Sequence, residues 1–180
     1  MKIKLKNVRL SFPSLFQKGS FNGQETKYEA TFLLDKDSQS VQIKEVKAAI
    51  ASMIKTDLKG ARLGDDKICM KDGGDTGRDG YENAWSLKAA NASRPLVINR
   101  DQTPLAEDDN VIYSGCYVNA VIRLWPQDNA YGKRINASLD GVQFVKDGDS
   151  FGTGGGSASV SDFEILDEAE DKNADDNIFG

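Results

Sequence analysis

Tyr117, Asn119, Arg123 and Trp125 recur at alternate positions of one segment, and Arg134 lies on the segment that returns beside it. Alternate residues of a strand share a face, so these side chains would form one surface of rings, guanidinium groups and amides. Aromatic rings stack on nucleobases, at about 1–3 kcal/mol per base. Arginine pairs with phosphate and adds cation–π contact, and amides hydrogen-bond bases or sugars. The same rings would serve equally to pack beneath a helix or loop, and the sequence leaves that alternative open. A second set, Phe16, Lys18, Phe21 and Lys27, sits in a polar, Gly-containing stretch that reads as a loop. Lys2, Lys4 and Lys6 share a face of the first strand as a basic stripe.

Other chemistries are poorly supplied. The chain has no histidine, which removes most zinc sites and the Ser-His-Asp and Cys-His arrangements. Its two cysteines, Cys69 and Cys116, are far apart and read as free thiols. Asp65, Asp66, Asp72, Asp75 and Asp79 lie in a Gly/Asp-rich stretch, but their order does not match an EF-hand loop. The glycines at 152–156 lack the Lys-Ser/Thr of a phosphate-binding loop. The expectation is a binding protein without catalytic residues, metal or cofactor.

The elements that would position these residues are mostly strands. From Lys2 to Phe12 apolar residues alternate, with Ile3 and Leu5 in one phase and Val8, Leu10 and Phe12 in the other. A β-bulge near Lys6–Asn7 absorbs that shift. Tyr28, Ala30, Phe32 and Leu34 give a second strand. Val46, Ala49, Ile50, Met53, Ile54 and Leu58 fall at helical spacing, with Asp37 or Ser38 as cap and Gly60 as stop. A long loop spans 64–83, and strands resume at Ala84–Asn91 and Leu96–Asn99. Gly115–Trp125 alternates cleanly and Pro126 is expected to end it. The return strand is Lys133–Val145, with a second phase change at Gly141. Five or six strands with one main helix and long loops imply a mainly β (α+β) protein, with an OB-type five-stranded barrel as the leading candidate.

The charge is divided along the chain. Residues 1–146 hold 22 Lys and Arg against 18 Asp and Glu, whereas residues 147–180 hold one lysine and ten acids. The overall net charge of −5 thus averages a mildly basic body and a strongly acidic tail. Gly152–Ser161 has linker composition, and the acidic segment beyond it has too few apolar residues to fold alone. The expected division is a domain over 1–150 and a disordered linker and tail over 151–180. Asp175, Asp176, Ile178 and Phe179 near the end suit a partner-docking peptide, and the tail's charge suits a mimic of polyanion that competes for the body's basic surface. The N-terminus has no continuous apolar run of a secretion signal, and no stretch approaches a membrane span.

Dispersed short motifs resemble a family of phage single-stranded DNA-binding proteins. They are Val8-Arg-Leu-Ser-Phe12, Tyr28 to Lys36, Lys71-Asp-Gly-Gly-Asp75, Arg94-Pro-Leu-Val97, Thr103-Pro104, Tyr113-Ser-Gly-Cys-Tyr117, Leu139-Asp-Gly-Val-Gln143 and Lys146-Asp-Gly148. Their order and spacing, over about residues 5–150, carry the resemblance. It implies an OB-fold core, sequence-tolerant binding of single strands, a role in phage replication or recombination, and a place in the cytoplasm of a bacterial host. It makes Cys116 a core residue. The tail resembles those that recruit replication or recombination proteins, except that here Phe179 is penultimate and Gly180 is last. A strand-annealing mediator, or a virion or protein-interaction module, would use the same small β fold. Self-association is left open.

Overall fold

The computed structural model describes residues 1–151 and 163–166. Its strands are β1 (Lys2–Ser14), β2 (Ser20–Phe21), β3 (Gln24–Glu25), β4 (Tyr28–Asp35), β5 (Met70–Asp72), β6 (Ala84–Asn91), β7 (Leu96–Ile98), β8 (Tyr117–Asn129) and β9 (Gly132–Lys146). One helix, α1 (Ser40–Asp57), lies between β4 and β5. The main sheet runs β5-β6-β4-β1-β8-β9-β7, and β6 also pairs in parallel with β9 through Ala90 and Ser138. That extra pairing closes β1, β4, β6, β9 and β8 into a five-stranded barrel, the OB fold.

Period-two burial builds the barrel interior. Leu5, Val8, Leu10, Phe32, Leu34, Leu87, Ile122, Leu124, Ile135 and Leu139 are all at most 1% exposed. Helix α1 contributes Ile43, Val46, Ile50 and Met53 and packs against β4, β8 and β9. Closing so few strands demands sharp curvature, which bulges supply. Between Leu5 and Val8 two residues of β1 face one of β8, and Asn7 takes φ +52°. The backbone groups freed there find side chains. Gln42 both accepts from the Lys6 N–H and donates to the Lys6 carbonyl, at 2.8 Å each. Asn119 Oδ1 accepts from the Asn7 N–H at 3.0 Å. The shift expected at Gly141 is a bulge as well, since Val121 faces Gly141 but Ile122 faces Leu139.

Three local expectations are corrected. Strand β8 does not stop at Pro126 but continues to Asn129. The Leu124 N–H points to β1, donating to the Met1 carbonyl, and residue 126 points the same way, past the end of β1. Proline's missing N–H therefore removes no ladder bond. The helix cap is neither Asp37 nor Ser38. Asp35 instead accepts from the amides of Asp37 and Ser38 and from the Ser38 hydroxyl. These bonds, the Ser38 amide foremost, hold its carboxyl below the usual carboxylate range. Finally, the loops at 16–27 and 64–83 are not wholly irregular, as they contain the β2–β3 hairpin and β5.

The body reaches Phe151 because residues 147–151 are clasped onto the barrel. The Tyr113 hydroxyl donates to Asp147 Oδ1 at 2.9 Å and accepts from the Gly148 N–H at 3.0 Å. Arg9 Nη2 donates to the Asp149 carbonyl, and the Arg9 guanidinium lies 3.9 Å over the Phe151 ring. Gly115, at φ +112°, makes this approach possible, since a Cβ there would stand 2.1 Å from the Asp149 carbonyl oxygen. Gly115→Ala is expected to cost about 2 kcal/mol or more, strain plus clash. Gly132→Ala, at φ +105° with nothing within 4 Å, carries the strain alone. Urea unfolding should give the lower midpoint to Gly115→Ala, and equal midpoints would refute the clasp.

Candidate nucleic-acid interface

The outward faces of β4 and β6 form the floor of an open groove of about 870 Å³. Small residues pave it, including Thr31, Ser86, Ala90 and Ser138. The far ends of β8 and β9, which outrun β1, form one wall with Trp125, Gln127, Arg134 and Asn136. Phe12, Arg78 and Tyr81 close the opposite end. Six cations line the groove, Lys27, Lys67, Lys71, Arg78, Lys88 and Arg134, against two acids, Glu29 and Asp66. Both acids are spoken for, by Lys88 at 3.2 Å and Lys67 at 3.7 Å. Among the described residues Lys27, Lys71, Arg78 and Arg134 have no carboxylate partner. The groove is therefore strongly cationic although the chain as a whole is acidic.

Three of the expected contact residues, Lys27, Trp125 and Arg134, come together here. Trp125 is 40% exposed, and Arg134 is steadied by donating to the Asp66 carbonyl at 3.2 Å. Phe21 is 72% exposed on the β2–β3 hairpin, and Lys18 is exposed in the same loop. Phe16 packs half-buried against the core with the Arg94 guanidinium 5.7 Å over its ring. The alternation that groups Tyr117, Asn119 and Arg123 with Trp125 holds along β8, but the strand coils around the barrel as it runs. Tyr117 faces a second concavity beside β1, with Lys146 4.7 Å over its ring. Asn119 serves the β1 bulge and bonds Gln143. Arg123 makes a two-pronged pair with Asp140, at 2.7 and 2.9 Å. Asp175, Asp176, Ile178 and Phe179 lie outside the described residues.

Alternation places Phe12 on the core-facing phase of β1, and the structure turns it out. Ser11 faces Thr31 and Ser14 faces Glu29, so Phe12 and Pro13 bulge from the ladder. Phe12 takes φ +47° and is 55% exposed, with the Arg78 guanidinium 4.7 Å over its ring. A bulky residue at positive φ is strained, and bulges re-aim side chains beside functional sites. Pro13 is the available sign, because a proline cannot donate into the ladder. Lys88 is legible too, sharing a phase with Ser86 and Ala90 opposite buried Leu87 and Ala89. Arg78 lies in a Gly/Asp stretch without periodicity, so nothing in the sequence marks it.

Burial pushes the Cys69 thiol, at the groove wall, up to about 12, and it raises that of Cys116 in the core. Both cysteines are free and held protonated, so neither is an activated nucleophile.

Comparisons with known proteins bear on the fold and the family. Protein p50 of Acyrthosiphon pisum secondary endosymbiont phage 1 is 44% identical over 187 aligned positions, covering 96% of this chain and 97% of that one. The single-stranded DNA-binding protein from bacteriophage Enc34, solved in complex with ssDNA, superposes with a TM-score of 0.74 at 34% identity, over 84% of this chain and 89% of that one. The fold extends to gp2.5, a single-stranded DNA-binding protein encoded by bacteriophage T7, with a TM-score of 0.50 at 12% identity over 87% of this chain and 98% of that one. The family model described as Enterobacter phage Enc34, ssDNA-binding protein, matches residues 1–177, and the chain belongs to that family.

Proposed function

We propose that this protein binds single-stranded DNA in the β4–β6 groove, without catalysing a reaction, during phage DNA replication or recombination in the host cytoplasm. The observation that carries the reading is the groove itself. Exposed Phe12 and Trp125 stand at its two ends, and four cations with no carboxylate partner among the described residues lie between and around them. Rings stack on any base and cations neutralise phosphates, so binding is tolerant of sequence and sensitive to salt. The floor of small hydroxyl and methyl groups leaves room for a strand. Within this reading the acidic tail has two roles, competing with DNA for the groove and presenting Asp175, Asp176, Ile178 and Phe179 to replication or recombination proteins.

The test is quenching of tryptophan fluorescence by oligo-dT. The chain has two tryptophans. Trp85 is half-buried with Lys47 Nζ 3.5 Å over its ring, whereas Trp125 opens into the groove. Quenching should appear at low salt, reverse at high salt and be largely lost in Trp125→Phe. A protein that shows no quenching and no shift of labelled oligonucleotide would end the proposal.

The two arginines of the β8–β9 arm should behave differently. Arg134→Gln removes a cation that has no carboxylate partner among the described residues, and should make the slope of log K against log salt shallower by about 0.7, the value per phosphate on single strands. Arg123 is already committed to Asp140, so Arg123→Gln should change affinity by less than about twofold and leave that slope alone. Equal effects from the two would place the strand along β8 rather than in the groove.

A further inference from the structure

A second concavity, of about 510 Å³, lies around the start of β8. Its cross-strand register is specific: Arg9 of β1 faces Tyr117 of β8, and Tyr117 faces Lys146 of β9. An arginine, a ring and a lysine thus form one row across three strands, and Lys6 joins them from the β1 bulge. Among the described residues no carboxylate lines this concavity, and Lys6, Arg9 and Lys146 have no carboxylate partner. Arg9 is held rigidly without being neutralised, since its bonds go to the carbonyls of Gly115 and Asp149. Two of the three side-chain amides here are otherwise employed: Gln39 and Gln42 hold the bulge backbone. What remains for a ligand is the Asn7 amide and cationic charge around one aromatic ring, the chemistry that takes a nucleotide phosphate and its base.

The concavity is joined to the main groove. Tyr81 of the groove packs on Phe151 at 6.1 Å between centroids, and Phe151 lies under Arg9. Along β1, Phe12 belongs to the groove and Arg9 and Lys6 to the second concavity. A strand leaving the groove past Phe12 meets cations spaced along the same β-strand.

We propose that the Lys6–Arg9–Tyr117–Lys146 concavity is a second subsite for the same DNA strand, taking phosphates beyond the segment held in the groove. This rests on the single-strand-binding reading above.

The full chain carrying both Lys6→Gln and Lys146→Gln decides it, titrated with oligo-dT of about 6 and about 16 nucleotides, within the range one OB barrel accommodates. Trp125→Ala serves as the groove control and should weaken both lengths. The double variant is expected to bind the short strand as the wild type does and the long strand about tenfold more weakly at low salt. Its long-strand salt slope should be shallower by about 1.4, two phosphates' worth. Unchanged or tighter long-strand binding overturns the subsite, and so does an equal loss on both lengths. If the wild type binds neither length, the function reading itself falls, which is a separate result. Unfolding midpoints of the double variant confirm that the barrel is intact.

Discussion

Replacing both Phe12 and Trp125 by alanine is expected to weaken oligo-dT binding by at least about 30-fold, with little loss of stability. Each ring offers one stacking surface, and one base–aromatic stack is lost at about 1–3 kcal/mol by alanine substitution. Two stacks therefore give about 2–6 kcal/mol, and every 1.4 kcal/mol is tenfold. Neither ring supports the core. Phe12 is 55% and Trp125 40% exposed, so their removal leaves no large cavity. Phe12 carries the sharper argument, because a phenylalanine at φ +47° holds a conformation that costs about 1–3 kcal/mol. A strained backbone that brings an apolar ring into water, beside an arginine, has no stabilising explanation on its own. A ligand that covers the ring supplies one. The measurement is a pair of curves, oligonucleotide titration and urea unfolding. Unchanged affinity in a folded double variant would remove stacking from the mechanism, and the single variants would then show which ring is idle.

The barrel is legible in the sequence because its signal is local. Alternation in β1, β4 and β8 and the helical spacing of Val46, Ile50 and Met53 follow from which side chains must be dry. Even two bulges announce themselves, as breaks of phase near Lys6 and at Gly141. The groove is less legible because it is assembled from strands distant in sequence. Lys27, Lys88 and Arg134 meet only once β6 pairs with β9, and no window of sequence contains that pairing. Alternation also fixes which residues share a face only while a strand is straight. Along the thirteen residues of β8, coiling carries Tyr117 to one side of the barrel and Trp125 to another. Phe12 shows the opposite failure. Its apolar character points inward, and a bulge at Pro13 turns it out. The clasp of 147–151 depends on Gly115 and Gly148, whose missing side chains leave no periodic trace, although both fall in the motifs that carry the family resemblance.

Removing residues 152–180 is expected to tighten oligo-dT binding at low salt by about tenfold, and the gain should fade as salt rises. The cut belongs after Phe151, because Asp149 and Phe151 are part of the folded body through Arg9. The removed segment holds eight acids and one lysine. It leaves the body beside the groove, since Phe151 packs against Tyr81, which lines it. An anion tethered there would compete at high effective concentration for the four cations that have no carboxylate partner among the described residues. If DNA must displace it, the tail would lower affinity without altering the groove's own contacts. Screening sets the salt dependence: the Debye length is about 10 Å at 0.1 M and about 3 Å at 1 M. Truncated and full-length proteins should therefore converge in concentrated salt. A second variant separates charge from mere length. Asp175→Asn with Asp176→Asn keeps the chain and removes two charges, and it should give a fraction of the gain. Truncation that leaves affinity unchanged or weaker at every salt concentration would refute competition. The groove's six cations would then face DNA without an internal rival.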